Sequence, residues 1–211
     1  MKFRLSHIIS LSYYLGLGYF VWLMCLITLQ YIPIRLDVAF LLLKEDAISQ
    51  LHYQVAFFSH VYTSIFVLML GMAQFSGGLR RRLPGLHRGL GKGYVLLILF
   101  VASPSGLVMA WYANGGLSSQ VSFSLQAILW FVFTWIALQR ARQQDWRGHQ
   151  RFMLRSYALT LSAVSLRLFK WIIVSTWAWP PMDTYRLVAW LGWVVNLLVV
   201  EGWILNKRKK N

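Results

Sequence analysis

The chain has 211 residues, 58% of them hydrophobic and 13% charged, and its mean hydropathy is +0.54. Soluble proteins carry about a quarter charged residues, so water is excluded as the main solvent, and the length leaves no room for a sizeable soluble domain beside several membrane spans. A net charge of +15 invites nucleic acid as a partner, but the basic residues cluster where helices end, at the depth of anionic headgroups, so no nucleic-acid binding is expected.

The first predicted span covers residues 11–32, behind Lys2 and Arg4. Its apolar run is too long for a signal peptide and lacks a small-residue cleavage site, so it reads as a retained anchor. The second lies within the uncharged residues 47–79, ends near Phe75 and is stopped by Arg80, Arg81 and Arg82. Residues 93–139 carry no charge and accommodate two helices, with Asn114-Gly115-Gly116 as the turn between spans three and four. Ser103-Pro104-Ser105-Gly106 interrupts span three midway, because proline removes a helix hydrogen bond.

A basic segment, residues 140–155, precedes a fifth span at 156–177, which is stopped by Pro180-Pro181. The sixth runs over residues 187–205. No strand-like alternation supports a barrel. The expected fold is all-α, an integral membrane bundle of six transmembrane helices, with residues 1–50 as an N-terminal helix and external loop and 51–211 as a five-helix core with a short basic tail.

Orientation follows from the positive-inside rule. With the N-terminus inside, the cytoplasmic segments collect 16 of the 21 Lys and Arg residues; Arg35, Lys44 and Arg186 are outside, and Arg167 and Lys170 lie within span five. Both termini are therefore expected in the cytoplasm of a bacterial cell, with the chain multi-pass in its inner membrane. Trp111, Tyr112, Trp177, Trp179 and Tyr185 then form an outer interfacial belt.

Ionisable groups inside a bilayer cost about 2.5 kcal/mol or more when charged, so each is a functional candidate. His60, Arg167 and Lys170 qualify, the first and last in the outer half. His60, Ser64, Val67, Gly71 and Gln74 recur at helical spacing as a mildly polar stripe facing protein. A stripe of this kind serves either as interhelical glue or as a ligand or proton path.

A second group lies at the cytoplasmic edge. His87 and His149 sit at similar depth on two helices, the arrangement that axial ligation of a b-type haem requires. Arg88, Arg151 and Arg155 are positioned to pair with propionates, and Gly89, Gly91 and Gly93 would let a flat ring approach the backbone. A His beside Arg at a helix start is equally an interfacial anchor, and spacing alone does not separate the two. Continued as one helix, His149, Met153, Tyr157, Thr160, Val164 and Arg167 share a face.

The single cysteine, Cys25, excludes a disulfide framework, an iron–sulfur ligand set and covalent haem attachment. The six acidic residues are scattered, with no carboxylate dyad or nucleophile–base pair, so hydrolytic chemistry is not expected.

Phe58-Ser59-His60, Gln74-Phe75, Arg80, the run from Leu86-His87-Arg88 to Gly93-Tyr94, and His149, Met153, Arg155-Ser156-Tyr157 and Leu166-Arg167-Leu168 together resemble the bacterial membrane family catalogued as domain of unknown function 2306. The resemblance covers roughly residues 55–205 and implies no activity. The chain is also similar to the transmembrane di-haem b-type cytochromes that pass electrons from ascorbate or related donors, which carry a His on each of four consecutive helices. His60, His87 and His149 match the first, second and fourth of that set, while span four, residues 120–139, has no histidine. His52 shares a helix with His60 and cannot grip the opposite face. The resemblance therefore implies at most one b-type haem, held by His87 and His149, with electrons relayed to or from quinone or a membrane protein partner. The alternative is a non-catalytic module in the lipid bilayer that assembles with a partner or binds lipid.

Overall fold

The computed structural model describes the backbone of residues 2–177 and 179–209, and the side chains of those residues except 2–10, 13, 45, 208 and 209. Lys2, Arg4 and the basic tail beyond Lys207, which the orientation argument used, lie outside the described side chains. Among the described residues the secondary structure is entirely helical.

The chain divides into two compact units, residues 1–45 and 46–211. The first holds α1 (Lys2–Leu29) and a 3-10 turn, Ala39–Leu43. The Phe40 amide donates to the Tyr31 hydroxyl at 3.3 Å. Burial pushes the Lys44 ammonium, 5.5 Å from the Phe40 ring centroid, down to about 8.

The short α2 (Glu45–Ile48) lies at the start of the second unit, whose first long helix is α3 (Leu51–Gln74). A corner helix, α4 (Gly77–Arg82), is capped by Ser76 Oγ, which accepts from Leu79 N. Next come α5 (Pro84–Leu97), a π-helical turn (Ile98–Ala102) and α6 (Ser103–Trp111). These three run on as one membrane-length helix. The proline that sequence reading placed at a break is accommodated instead. Pro104 offers no N–H to the turn before it, and the widened π turn absorbs the mismatch.

Gly115 and Gly116, at φ +86° and +71°, turn the chain into α7 (Leu117–Arg142). The basic segment expected as a connection is helical except for residues 143–145: α7 continues to Arg142, and α8 (Trp146–Thr160) starts from an Asp145 cap whose carboxylate accepts from Gly148 N at 2.9 Å. α8 bends by 42° into α9 (Ser162–Trp177). At the bend Thr160 and Ser162 hydroxyls bond the Ser156 and Leu159 carbonyls, and Gln126 donates to Ser162 Oγ. Hydroxyls bonding helix carbonyls bend helices in this way. The straight face expected from His149 to Arg167 is therefore broken at Leu161. α10 (Pro181–Lys209) completes the unit.

Four helices are long and apolar enough to cross a membrane, and the bent α8–α9 pair makes a fifth when counted as one span. The apolar part of α1 among the described residues, Tyr14–Leu29, falls short of that length. In the second unit α3 packs on α5, α6 and α8, α6 packs on α7, and α7 on α8, which closes a four-cornered ring with α5/α6 and α8 at opposite corners. α10 covers α7, α8 and α9 from outside. One end of the bundle gathers Arg80, Arg81, Arg82, Arg140 and Arg142 and is called the basic end.

Buried hydrogen bonds tie the corners together. Tyr94 Oη lies 3.0 Å from Ser156 Oγ and 2.9 Å from Thr160 Oγ1, Trp130 Nε1 donates to Thr160 Oγ1 at 3.2 Å, and Thr134 Oγ1 lies 2.7 Å from Ser156 Oγ. Such bonds replace water inside a membrane, where every polar group needs a protein partner. On the α10 side, Asn196 donates to the Ala158 carbonyl at 3.0 Å, and Trp193 Nε1 donates to Ser122 Oγ at 2.9 Å.

Candidate functional site

His87 lies in the first turn of α5 and His149 in the first turn of α8, both at the basic end. The two imidazoles are within electrostatic range of each other, and Arg80 is within range of His87. His149 Nδ1 is 2.8 Å from the Ala137 carbonyl on α7. A carbonyl can only accept, so Nδ1 carries the proton, and in a neutral ring the lone pair is then on Nε2. Metal-binding histidines are oriented by just such a backbone bond. Trp146 stands edge-on to the ring, with the two centroids 6.5 Å apart.

His87 Nδ1 is buried with no hydrogen-bond partner among the described residues, and so is Gln74 Nε2. Gln74 closes α3 against α5: a Cβ on Gly91 would lie 3.0 Å from Gln74 Oε1. Gly91 is one turn from His87, so both orphaned groups belong to one corner of the basic end. Of the other glycines expected beneath a flat ring, Gly93 faces Leu70 and Gly89 faces open space.

The flanking cations divide. Arg155 donates to both Glu201 carboxylate oxygens at 2.5 and 2.8 Å and stacks on Phe152 at 4.8 Å, so it is already engaged. Arg88 is exposed and Arg151 half-buried. Sequence reading missed the approach of Arg80 to His87, because it depends on the fold-back of α4.

The second group lies deeper. His60 Nδ1 is 2.8 Å from the Ala102 carbonyl at the end of the π turn and 3.3 Å from Ser105 Oγ. Arg167 is within electrostatic range of His60 and donates to the Ala163 carbonyl of its own helix at 2.7 Å. Lys170 is exposed on α9. His52 is spoken for at the far end: its Nε2 is 2.6 Å from the Tyr112 hydroxyl, which donates to Gln50 Oε1 at 2.8 Å.

Among the described residues no group of three or more His, Cys, Asp or Glu side chains is placed to hold a metal ion. Two imidazoles without further donors suit a metal that brings its own equatorial ligands, as haem iron does. An orphaned His87 nitrogen and an Nε2 lone pair on His149 fit that group; the missing acceptor for His87 Nδ1 is the one element of the donor set not supplied.

No curated protein and no solved structure matches the chain. A family profile described as "Predicted membrane protein (DUF2306)" matches residues 57–204, from the second turn of α3 to near the end of α10, and the chain belongs to that family.

Proposed function

We propose that this membrane protein is a one-haem electron carrier, in which His87 and His149 would hold the iron of a single b-type haem at the basic end. The observation that carries this reading is the His149–Ala137 bond, which leaves Nε2 as the unprotonated nitrogen of a neutral ring, with the His87 imidazole within electrostatic range. Arg80 and Arg88 supply cations for the propionates. Bound there, the iron would take up and release one electron at a time. On this reading the basic end faces the cytoplasm of a bacterial inner membrane, as the positive-inside rule expects.

A second reading, a non-catalytic module that binds lipid or a partner, draws on Leu83 and Leu86, which are 54% and 50% exposed beside Arg80–Arg82 as an interfacial surface would be. One experiment separates the two: absorbance of the protein purified in mild detergent from cells fed a haem precursor, before and after dithionite. A Soret band that shifts on reduction, and is lost in both His87→Ala and His149→Ala, establishes the carrier. A flat spectrum from folded, haem-replete material rejects it in favour of the module.

A further inference from the structure

We infer that the half of the bundle away from the basic end holds a separate site, centred on His60, for a lipid-soluble quinol whose hydroxyl donates to His60 Nε2. It stands on different residues from the haem reading and does not depend on it.

The tautomer comes first. His60 makes its hydrogen bonds through Nδ1, to the Ala102 carbonyl and beside Ser105 Oγ. Ser105 donates its own hydrogen to the Val101 and Ala102 carbonyls at 2.5 and 3.2 Å. With both neighbours acting as acceptors, Nδ1 must be the donor, and the neutral ring presents Nε2 as a bare acceptor. The ring sits close against α6: a Cβ on Gly106 would lie 3.1 Å from His60 Cε1, so glycine at that position is what lets the imidazole approach.

Two further groups define the ligand. Ser64, one turn along the same face of α3, has a buried hydroxyl oxygen with no partner among the described residues. Arg167, on α9, brings a positive charge within range of the His60 ring. An acceptor, an unfilled hydroxyl and a cation suit a molecule that offers a hydroxyl donor next to electron-rich oxygen. His60 lies nine residues along α3, about 13 Å from its start. At that depth the ligand arrives through the hydrocarbon, which favours a quinol over a water-soluble alcohol. A carboxylate would suit Arg167 but offers no hydrogen to Nε2.

The test titrates the full chain in detergent, under argon, with a decyl-substituted benzoquinol and separately with the matching benzoquinone, followed by calorimetry. The two probes have the same shape and differ in their hydroxyl hydrogens, so wild-type protein should bind the quinol about tenfold more tightly, the worth of one hydrogen bond. His60→Phe should abolish that preference. Ser64→Ala, which leaves the His60–Ala102 bond untouched, should weaken quinol binding a few-fold. Equal affinity for the two probes in wild-type protein, or a preference that survives His60→Phe, overturns the inference. A dithionite spectrum of the same sample scores the haem reading separately: quinol binding without haem bands supports this site alone, and haem bands without a quinol preference reject it alone.

Discussion

Tyr94 and Ser156 hydrogen-bond across the bundle at 3.0 Å, and each lies seven residues, two helical turns, inward of a candidate histidine, His87 on α5 and His149 on α8. The two pairs are therefore in register. The inner pair, with Thr160, Trp130 and Thr134, fixes the separation of α5 and α8, the two helices that carry the imidazoles.

Removing the Tyr94 hydroxyl measures that floor. Tyr94→Phe should cost about 1 kcal/mol of stability, within the range of hydrogen bonds between membrane helices. The cost stays small because the stranded hydroxyls have local alternatives: Thr160 already reaches the Ser156 carbonyl at 3.2 Å, and Ser156 Oγ lies 2.7 Å from Thr134 Oγ1. Denaturation of the two proteins in the same detergent gives the number. An unchanged midpoint would mean that the hydroxyl contributes nothing to holding α5 and α8 together.

Gly71 sets the approach of α3 to the same floor. A Cβ there would overlap the Tyr157 ring and lie 2.9 Å from Tyr94 Cε2. Gly71→Ala should destabilise by roughly 1–3 kcal/mol through overpacking. Gly89→Ala, where a Cβ meets nothing within 4 Å, should be neutral or stabilising by up to about 1 kcal/mol, since Ala is the better helix former. Thermal unfolding of the two variants should diverge in opposite directions. Equal losses would place Gly71 away from the packed core.

The helical character and the turn at Gly115-Gly116 were legible because apolar runs bounded by charges and a glycine pair are one-dimensional signals. The bend at Leu161 was not. It arises from Thr160 and Ser162 hydroxyls competing for helix carbonyls and from Gln126 reaching across from α7, and hydropathy is blind to both. The site was half legible. His87 and His149 stood out as histidines at equal depth, but the carbonyls that set the His149 and His60 tautomers belong to Ala137 and Ala102, residues with no side-chain signature. Arg155 illustrates the converse: its position suggests a propionate partner, while its ion pair with Glu201, 46 residues away, has no signature in the sequence.

That Arg155–Glu201 pair clamps α10 to α8. Arg155 is 17% exposed and Glu201 41%, so water screens the carboxylate and the Coulomb gain is discounted accordingly. A double-mutant cycle with Arg155→Ala and Glu201→Ala should give a coupling of about 1 kcal/mol that shrinks as salt rises. Arg155→Ala alone should cost more than Glu201→Ala alone, because it also removes the stack on Phe152. A vanishing coupling at low salt would show the pair to be incidental to the packing of α10.

Gln74 separates a structural corner from a functional one. Its Nε2 is buried without a partner among the described residues, and its Oε1 packs against Gly91, one turn from His87. An unsatisfied buried amide costs about 1–3 kcal/mol, so replacing it with an apolar side chain of similar size should leave stability unchanged or raised. Gln74→Leu should therefore unfold at the same or a higher temperature than the wild type. If the amide is kept for a ligand at the His87–His149 gap, the same substitution should lower haem retained through purification several-fold while the fold holds. That combination, stability gained and cofactor lost, is the pattern of a residue held at a structural cost for binding. Unchanged haem content in a stabilised Gln74→Leu protein would remove Gln74 from the site and leave His87 and His149 to define it.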